Sequence, residues 1–335
     1  MRRLKPALIA LAIAGMAAPA MAQVPRAPDG KPDLSGFWTH ASLTPLIRSP
    51  ANKTLVVNEA EAKRIAAAVP MAGVTEEGFK GATYSDPNKG APPKGGSDFG
   101  LKGYDSFWVT PGTMLANVKG EYRTSNIIDP PNGQLPFKDP GAQAKKAMAG
   151  FQRYMTGNAP YEGPEETAIS ERCLIGFGQT GGPGMLSVLY NNNYQFVQTP
   201  SHLMILVEMV HDARIVPIFA NAEAARAGYR PSAITQWLGD SVGWYEGDTL
   251  VVETRNVHPQ QRGYVSKAGK LTERFTRWNA GQVVYEFTVE DPTQFSQPWK
   301  GEMAFNASKE PSYEYACHEG NHAMYGILAG AREQE

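Results

Sequence analysis

The chain has 335 residues, 32 of them Lys or Arg and 33 Asp or Glu, for a formal charge of −1. That balance sets up no basic field for nucleic acid and no cationic helix for a membrane surface. Aromatics make up 10% and charged residues 19%, the composition of a folded chain, and 34 glycines with 26 prolines imply many turns.

Residues 1–22 read as a secretory signal. Arg2, Arg3 and Lys5 form a basic start, Ala7 to Ala18 is apolar, and Ala20-Met21-Ala22 fits small-x-small cleavage, leaving Gln23 as the mature start. The apolar run is too short for a permanent membrane span. The expected destination is the bacterial periplasm or the medium, with no membrane attachment after cleavage. The remainder, 23–335, reads as a single β-rich domain. Residues 23–185 form a loop-rich part with two helices and a hairpin, 186–310 an antiparallel meander, and 311–335 a C-terminal cassette and helix.

Leu34 to Thr39 reads as a first strand. Asn58 with Glu61 makes a capping box for a helix over 59–68, ended by Pro70. Residues 71–105 are a long Gly/Pro/Ser/Lys loop. Arg123 to Asp129 and Gln134 to Phe137 flank Asn132-Gly133, the signature of a hairpin. Gly141 to Met155 has helical spacing. Gly176-Phe177-Gly178-Gln179-Thr180-Gly181 spells G-x-G-x-x-G, yet Pro183 follows and no βαβ unit surrounds it, so it reads as a loop and not a dinucleotide site.

From Tyr194 onward short strands alternate with tight turns: 194–198, 202–210, 214–219, 241–245, 249–255, 271–278, 283–290 and 299–305. Val283, Tyr285, Phe287 and Val289 share one face. Turns of two or three residues join only antiparallel strands. The fold class is therefore mainly β: an antiparallel meander closing into a calycin-like barrel or sandwich, with peripheral helices and long loops. A helix near 319–331 ends the chain.

Two cysteines in an exported chain predict a disulfide, Cys173–Cys317. It would tether the densest cluster of acid, base and metal-binding groups, Tyr313-Glu314-Tyr315-Ala316-Cys317-His318-Glu319-Gly320-Asn321-His322.

Gly36-x-Trp38 ahead of a run of hairpins resembles the lipocalin/calycin pattern, which implies a barrel around a small molecule. A longer resemblance rests on Pro32-Asp33-Leu34-Ser35-Gly36-Phe37-Trp38, Gly239-Asp240-Ser241-Val242-Gly243-Trp244, Glu246-Gly247-Asp248-Thr249-Leu250-Val251-Val252 and Tyr315-Ala316-Cys317-His318-Glu319-Gly320-Asn321. These motifs are similar to those of a widespread family of exported bacterial proteins of unassigned function. That resemblance implies no reaction. It places an aromatic where His322 stands here.

Three chemistries fit the residues. His318-Glu319-x-x-His322 matches the zinc-protease pattern by letter, with Glu208 or His211 as the third ligand. Gly320 weakens such a helix by about 1 kcal/mol. Without metal or other cofactor, His318 and Glu319 could act as acid and base, with Glu208 and His211 as partners. The plain structural alternative is a hydrogen-bonded histidine beside a helix-capping glutamate. Glu208 lies on a strand apolar on both faces, expected to be central and covered, so its carboxylate needs a partner such as Arg214 or Arg274. Glu273 shares its face with Leu271 and Phe275 and is a second inward candidate. Arg214, Arg274, Glu273, Trp244, Tyr315 and Asn321 are the expected binding residues, and His318 and Glu208 are expected to line one cavity. The functional expectation is an exported, cofactor-free acid/base enzyme (lyase, isomerase, hydratase or hydrolase) acting on a small, partly apolar molecule. A lipocalin-like carrier and a zinc-dependent hydrolase are the alternatives.

Overall fold

A computed structural model describes residues 24–69, 111–145, 148–149, 163–176, 180–182, 184–260 and 264–333. The expected signal segment, the expected 71–105 loop, residues 177–179 and most of the second half of the expected Gly141–Met155 helix lie outside them. Residues 140–145 and 148–149 are helical.

Thirteen strands are described. They are β1 (Gly36–Thr39), β2 (Val56–Val57), β3 (Asn117–Val118), β4 (Glu121–Arg123), β5 (Ile127–Asp129), β6 (Asn193–Gln198), β7 (His202–Val207), β8 (Ala213–Phe219), β9 (Asp240–Glu246), β10 (Thr249–Arg255), β11 (Lys270–Asn279), β12 (Gln282–Glu290) and β13 (Trp299–Ala307). The large sheet runs β1-β6-β7-β8-β9-β10-β11-β12-β13, and β1 also pairs with β13, so nine strands close a barrel. The barrel form of the expected fold is therefore the one adopted.

The meander is antiparallel except at one step. Ile218 and Phe219 of β8 pair in parallel with Gly243 and Trp244 of β9. The reason is connection length. Residues 220–239 link the two strands and carry helix α2 (Ala222–Ala227), long enough for a crossover. A second departure concerns the hairpin after Arg123. The Asn132-Gly133 turn forms, with Gly133 N donating to Pro130 O at 2.9 Å. Gln134 to Phe137 does not return along β5, which instead pairs with β13. Pro130, Pro131 and Pro136 have no N–H for such a ladder.

Helix α1 (Glu59–Ala67) is capped as expected, Asn58 Oδ1 accepting from Glu61 N at 2.9 Å. It packs Ala62 and Ala66 on Leu43 and Leu115. Outside the barrel, α2 covers Val242, Trp244 and Val251, while Val118 of the small β2-β4-β3 sheet packs against Val284 and Ala304. Strand β7 is apolar on both faces, but only its inner face is covered. Leu203, Ile205 and Val207 are buried, whereas Met204 and Leu206 are half-exposed.

Inside, Trp38, Tyr194, Phe196, Phe275, Tyr285, Phe287, Trp299 and Phe305 are buried and fill the bore. Arg277 stacks over Trp38 of the Gly36-x-Trp38 strand at 4.5 Å. Thr180 and Met185 also reach inward, Tyr194 Oη donating to Thr180 O at 2.6 Å and Met185 N to Tyr285 Oη at 3.2 Å. Gly182, at φ +104°, lies where a Cβ would press on the Arg214 guanidinium at 3.3 Å.

One ion pair sits in this apolar bore. Arg214 grips Glu273 through both guanidinium nitrogens, one contact at 2.9 Å, and Tyr285 Oη donates to the same carboxylate at 2.8 Å. Ser241 and Thr254 surround the arginine. Both charged side chains are almost fully buried, so each exists there only because the other does. His40 is a further buried polar side chain. Its Nε2 must donate to Tyr194 Oη, 3.1 Å away, because that hydroxyl already gives its proton to Thr180 O. Burial drives its pKa from 6.5 down to about 3, so it stays neutral.

Two outcomes are expected. Glu273→Gln strands the arginine charge and lowers urea-measured stability by about 3–5 kcal/mol, while the paired replacement Arg214→Met/Glu273→Leu costs less than the single change. For His40 the unfolded chain takes up a proton more readily than the folded one. Stability is then full above the unfolded pKa of 6.5 and is lost as pH falls toward about 3, by on the order of 4 kcal/mol. In His40→Gln that portion of the acid-unfolding curve flattens.

Candidate functional site

The turn after β7 is where the candidate groups meet. Glu208 ends the strand and does not continue it, since Met209–His211 is a single 3-10 turn. Val210 and His211 both adopt left-handed backbone, at φ +65° and +53°. Two successive non-glycine residues there are strained, and something must hold them.

The C-terminal cassette does so. Glu208 is buried, and its carboxylate accepts from Asn193 N and Tyr313 N, each at 3.2 Å. Neither Arg214 nor Arg274 is its partner: Arg214 holds Glu273, and Arg274 holds Glu246 at the surface at 2.8 Å. Backbone amides satisfy Glu208, so it needs no buried cation. His211 accepts from Tyr315 N through Nδ1 at 3.2 Å and pairs through Nε2 with Tyr313 O at 3.0 Å. Those two bonds require the neutral ring with its proton on Nε2.

Beyond this clasp, Cys317 and Cys173 are bonded, 5.7 Å apart at Cα and separated by 144 positions. Helix α3 (Cys317–Gly320) and helix α4 (His322–Arg332) follow, divided at Asn321. His318 and His322 therefore lie on different helices, not one turn apart on a single helix. Among the described residues, no group of three or more His, Cys, Asp or Glu is placed to hold a metal. His318 and Glu319 are exposed while Glu208 is buried, so they do not share a cavity. The sequence pattern singled out the side chains of the cassette, whereas its contacts with Glu208 and His211 are made by backbone. The cassette acts through the backbone of 313–315, which has no side-chain signature.

Two clefts flank this turn. One, of ≈ 410 Å³, runs along the disulfide and is lined by Glu171, Glu314, Tyr315 and Asn321 among others. Asn321 Nδ2 donates there to Glu171 O at 2.7 Å. Tyr315 and Asn321 are thus brought together as the sequence suggested. Trp244 is not: it is buried beneath α2, its indole N–H on Glu246 at 3.0 Å. Glu273 faces the bore as expected but is consumed by Arg214.

The other cleft, of ≈ 450 Å³, is lined by Asp212, Ala213, Thr235, Gln236, Trp237, Leu238 and His258. Asp212 is the next residue after the strained pair. Its Oδ2 is buried without a hydrogen-bond partner among the described residues. Burial raises its pKa above the ordinary 3.8. His258 is fixed opposite the crossover: its backbone N–H donates to Gln236 O at 3.0 Å, and its ring stacks on Trp237 with centroids 4.0 Å apart. Nδ1 accepts from Gln260 N at 3.2 Å, which leaves the proton of the neutral ring on Nε2. A buried carboxylate oxygen and an oriented imidazole N–H thus line one cleft. Neither is singled out by the sequence, since 46 positions separate them and only the crossover brings them together.

Comparisons with protein-family models, with curated proteins and with solved structures gave no match. What fold and site define is a closed, mixed nine-stranded β-barrel with a filled bore and two clefts beside a disulfide-anchored C-terminal clasp.

Reducing the disulfide frees the clasp. Cys317→Ser is expected to lower stability by about 2–5 kcal/mol in urea. Thiol labelling of the unfolded, unreduced wild-type chain should detect no free cysteine.

Proposed function

We propose that the protein is an acid/base enzyme acting on a small, partly apolar molecule, with Asp212 and His258 as its working pair. The observation that carries this reading is the buried, unpartnered Oδ2 of Asp212 in a cleft it shares with an oriented histidine. A carboxylate that gives up hydrogen bonding costs stability, and folded proteins keep such groups where chemistry uses them. As base, Asp212 takes a proton from a carbon beside a carbonyl or from water. As donor, the His258 Nε2–H meets the oxygen on which charge develops. Isomerisation, elimination and hydration all use that division of labour. The filled bore speaks against a lipocalin-like carrier that holds its ligand inside the barrel. Export after cleavage at Ala22, and kinship with the exported bacterial family whose motifs this chain resembles, belong to the same proposal.

Asp212→Asn tests it in two ways. Turnover of carbonyl substrates should fall by about 10²–10⁴-fold. Stability should change with pH in a defined sense. Because the folded pKa is raised, the unfolded chain ionises first, so the wild type loses stability as pH rises from the ordinary carboxylate range through the folded value. Asp212→Asn is therefore more stable than wild type at neutral pH, and the gain vanishes below pH about 3.9. A variant with wild-type turnover and an unchanged pH–stability curve would remove the reading.

A further inference from the structure

The Asp212–His258 cleft does not end at its polar groups. Ala213, which lines it, is the first residue of β8 and lies on the outer face of the barrel. Side chains alternate along a strand, so Arg214 and Val216 point inward while Ala213 and Ile215 point outward. Register carries that outward row across two neighbours. Ala213 is opposite Leu206, Ile215 is opposite Met204, and Met204 is opposite Val197. Ile215 is 52% exposed and Val197 39%. The result is a solvent-facing apolar path from the cleft over β8, β7 and β6, about 10 Å across at the usual strand spacing. Ile234, 51% exposed, adjoins the cleft residue Thr235.

A contiguous exposed apolar surface that opens from a polar cleft marks a ligand with both characters. Among the described residues, the cleft lining holds a carboxylate and no Lys or Arg, so these residues offer an anionic head no partner. We propose that the substrate is an amphiphile with an uncharged polar head and an alkyl or acyl chain. The head lies between Asp212 and His258, and the chain lies over Ala213, Ile215, Met204 and Val197. This inference rests on the acid/base reading for the head and on the apolar row for the chain.

The test is isothermal titration of the full chain with N-butyl-, N-hexyl- and N-octylacetamide, with octanoate as the anionic comparison. Affinity should rise about twofold per added methylene, half of what full burial of each would yield. Ile215→Ser and Met204→Ser, both at solvent-facing positions, should flatten that slope. Octanoate should bind at least about tenfold more weakly than the octyl amide, through repulsion by Asp212. A flat series, or octanoate binding best, overturns the proposal. So does sedimentation showing a dimer that Ile215→Ser dissociates, because a second copy would then occupy the row. His258→Gln separates the two readings. Uniformly weaker binding with the slope intact supports both, whereas unchanged affinity with the slope intact removes the acid/base reading and leaves the apolar row as the binding surface.

Discussion

Closure of the barrel depends on one four-residue strand. Gly36 to Thr39 pairs with β6 on one side and β13 on the other, and without it the sheet would expose two long edges. Closure sets the interior volume, and that volume is taken up by large aromatics together with the inward-reaching Thr180 and Met185. The Arg214–Glu273 pair follows from the same constraint. Once a charge lies in a sealed bore it must be matched there, and Tyr285, Ser241 and Thr254 add hydrogen bonds to the pair. A buried ion pair of this kind is weak evidence for catalysis, because both charges are already satisfied.

A filled bore moves the chemistry to the rim. The turn after β7 is strained at two consecutive residues, and the C-terminal segment offsets that strain with hydrogen bonds to Glu208 and His211 and with a disulfide behind them. Asp212, next along the chain, is thereby held with one oxygen buried and unpartnered. The parallel β8–β9 step contributes the other half of the site. Its crossover brings Gln236 and Trp237 beside His258, and an antiparallel turn of two or three residues could not have carried them there. The parallel step among the described barrel strands is thus also where the cleft is built.

Strand positions, the inward face of β12, the capped first helix and the cysteine pairing were all legible in the residues. Each depends on local periodicity, local capping or a count of two. The direction of the β8–β9 step, the failed hairpin at Asn132-Gly133 and the open outer face of β7 were not, because each is decided by which distant strand or helix arrives next. The family-like motifs illustrate the boundary. Gly239 is at φ +78°, where a Cβ would meet Thr254 at 2.7 Å, and Asp240 accepts from Arg230 N at 2.7 Å, so both residues shape the backbone.

The sequence by itself determined a β-rich chain of about nine alternating strands, an inward Glu273 and a C-terminal cassette tethered to Cys173. Only the tertiary structure decided that His318 and Glu319 face solvent, that backbone amides satisfy Glu208, and that Asp212 and His258 share a cleft. The physical reason is range. Alternation and capping are written within a few residues, whereas burial and partnership of a polar group depend on elements far away along the chain, whose arrival only closure of the barrel fixes.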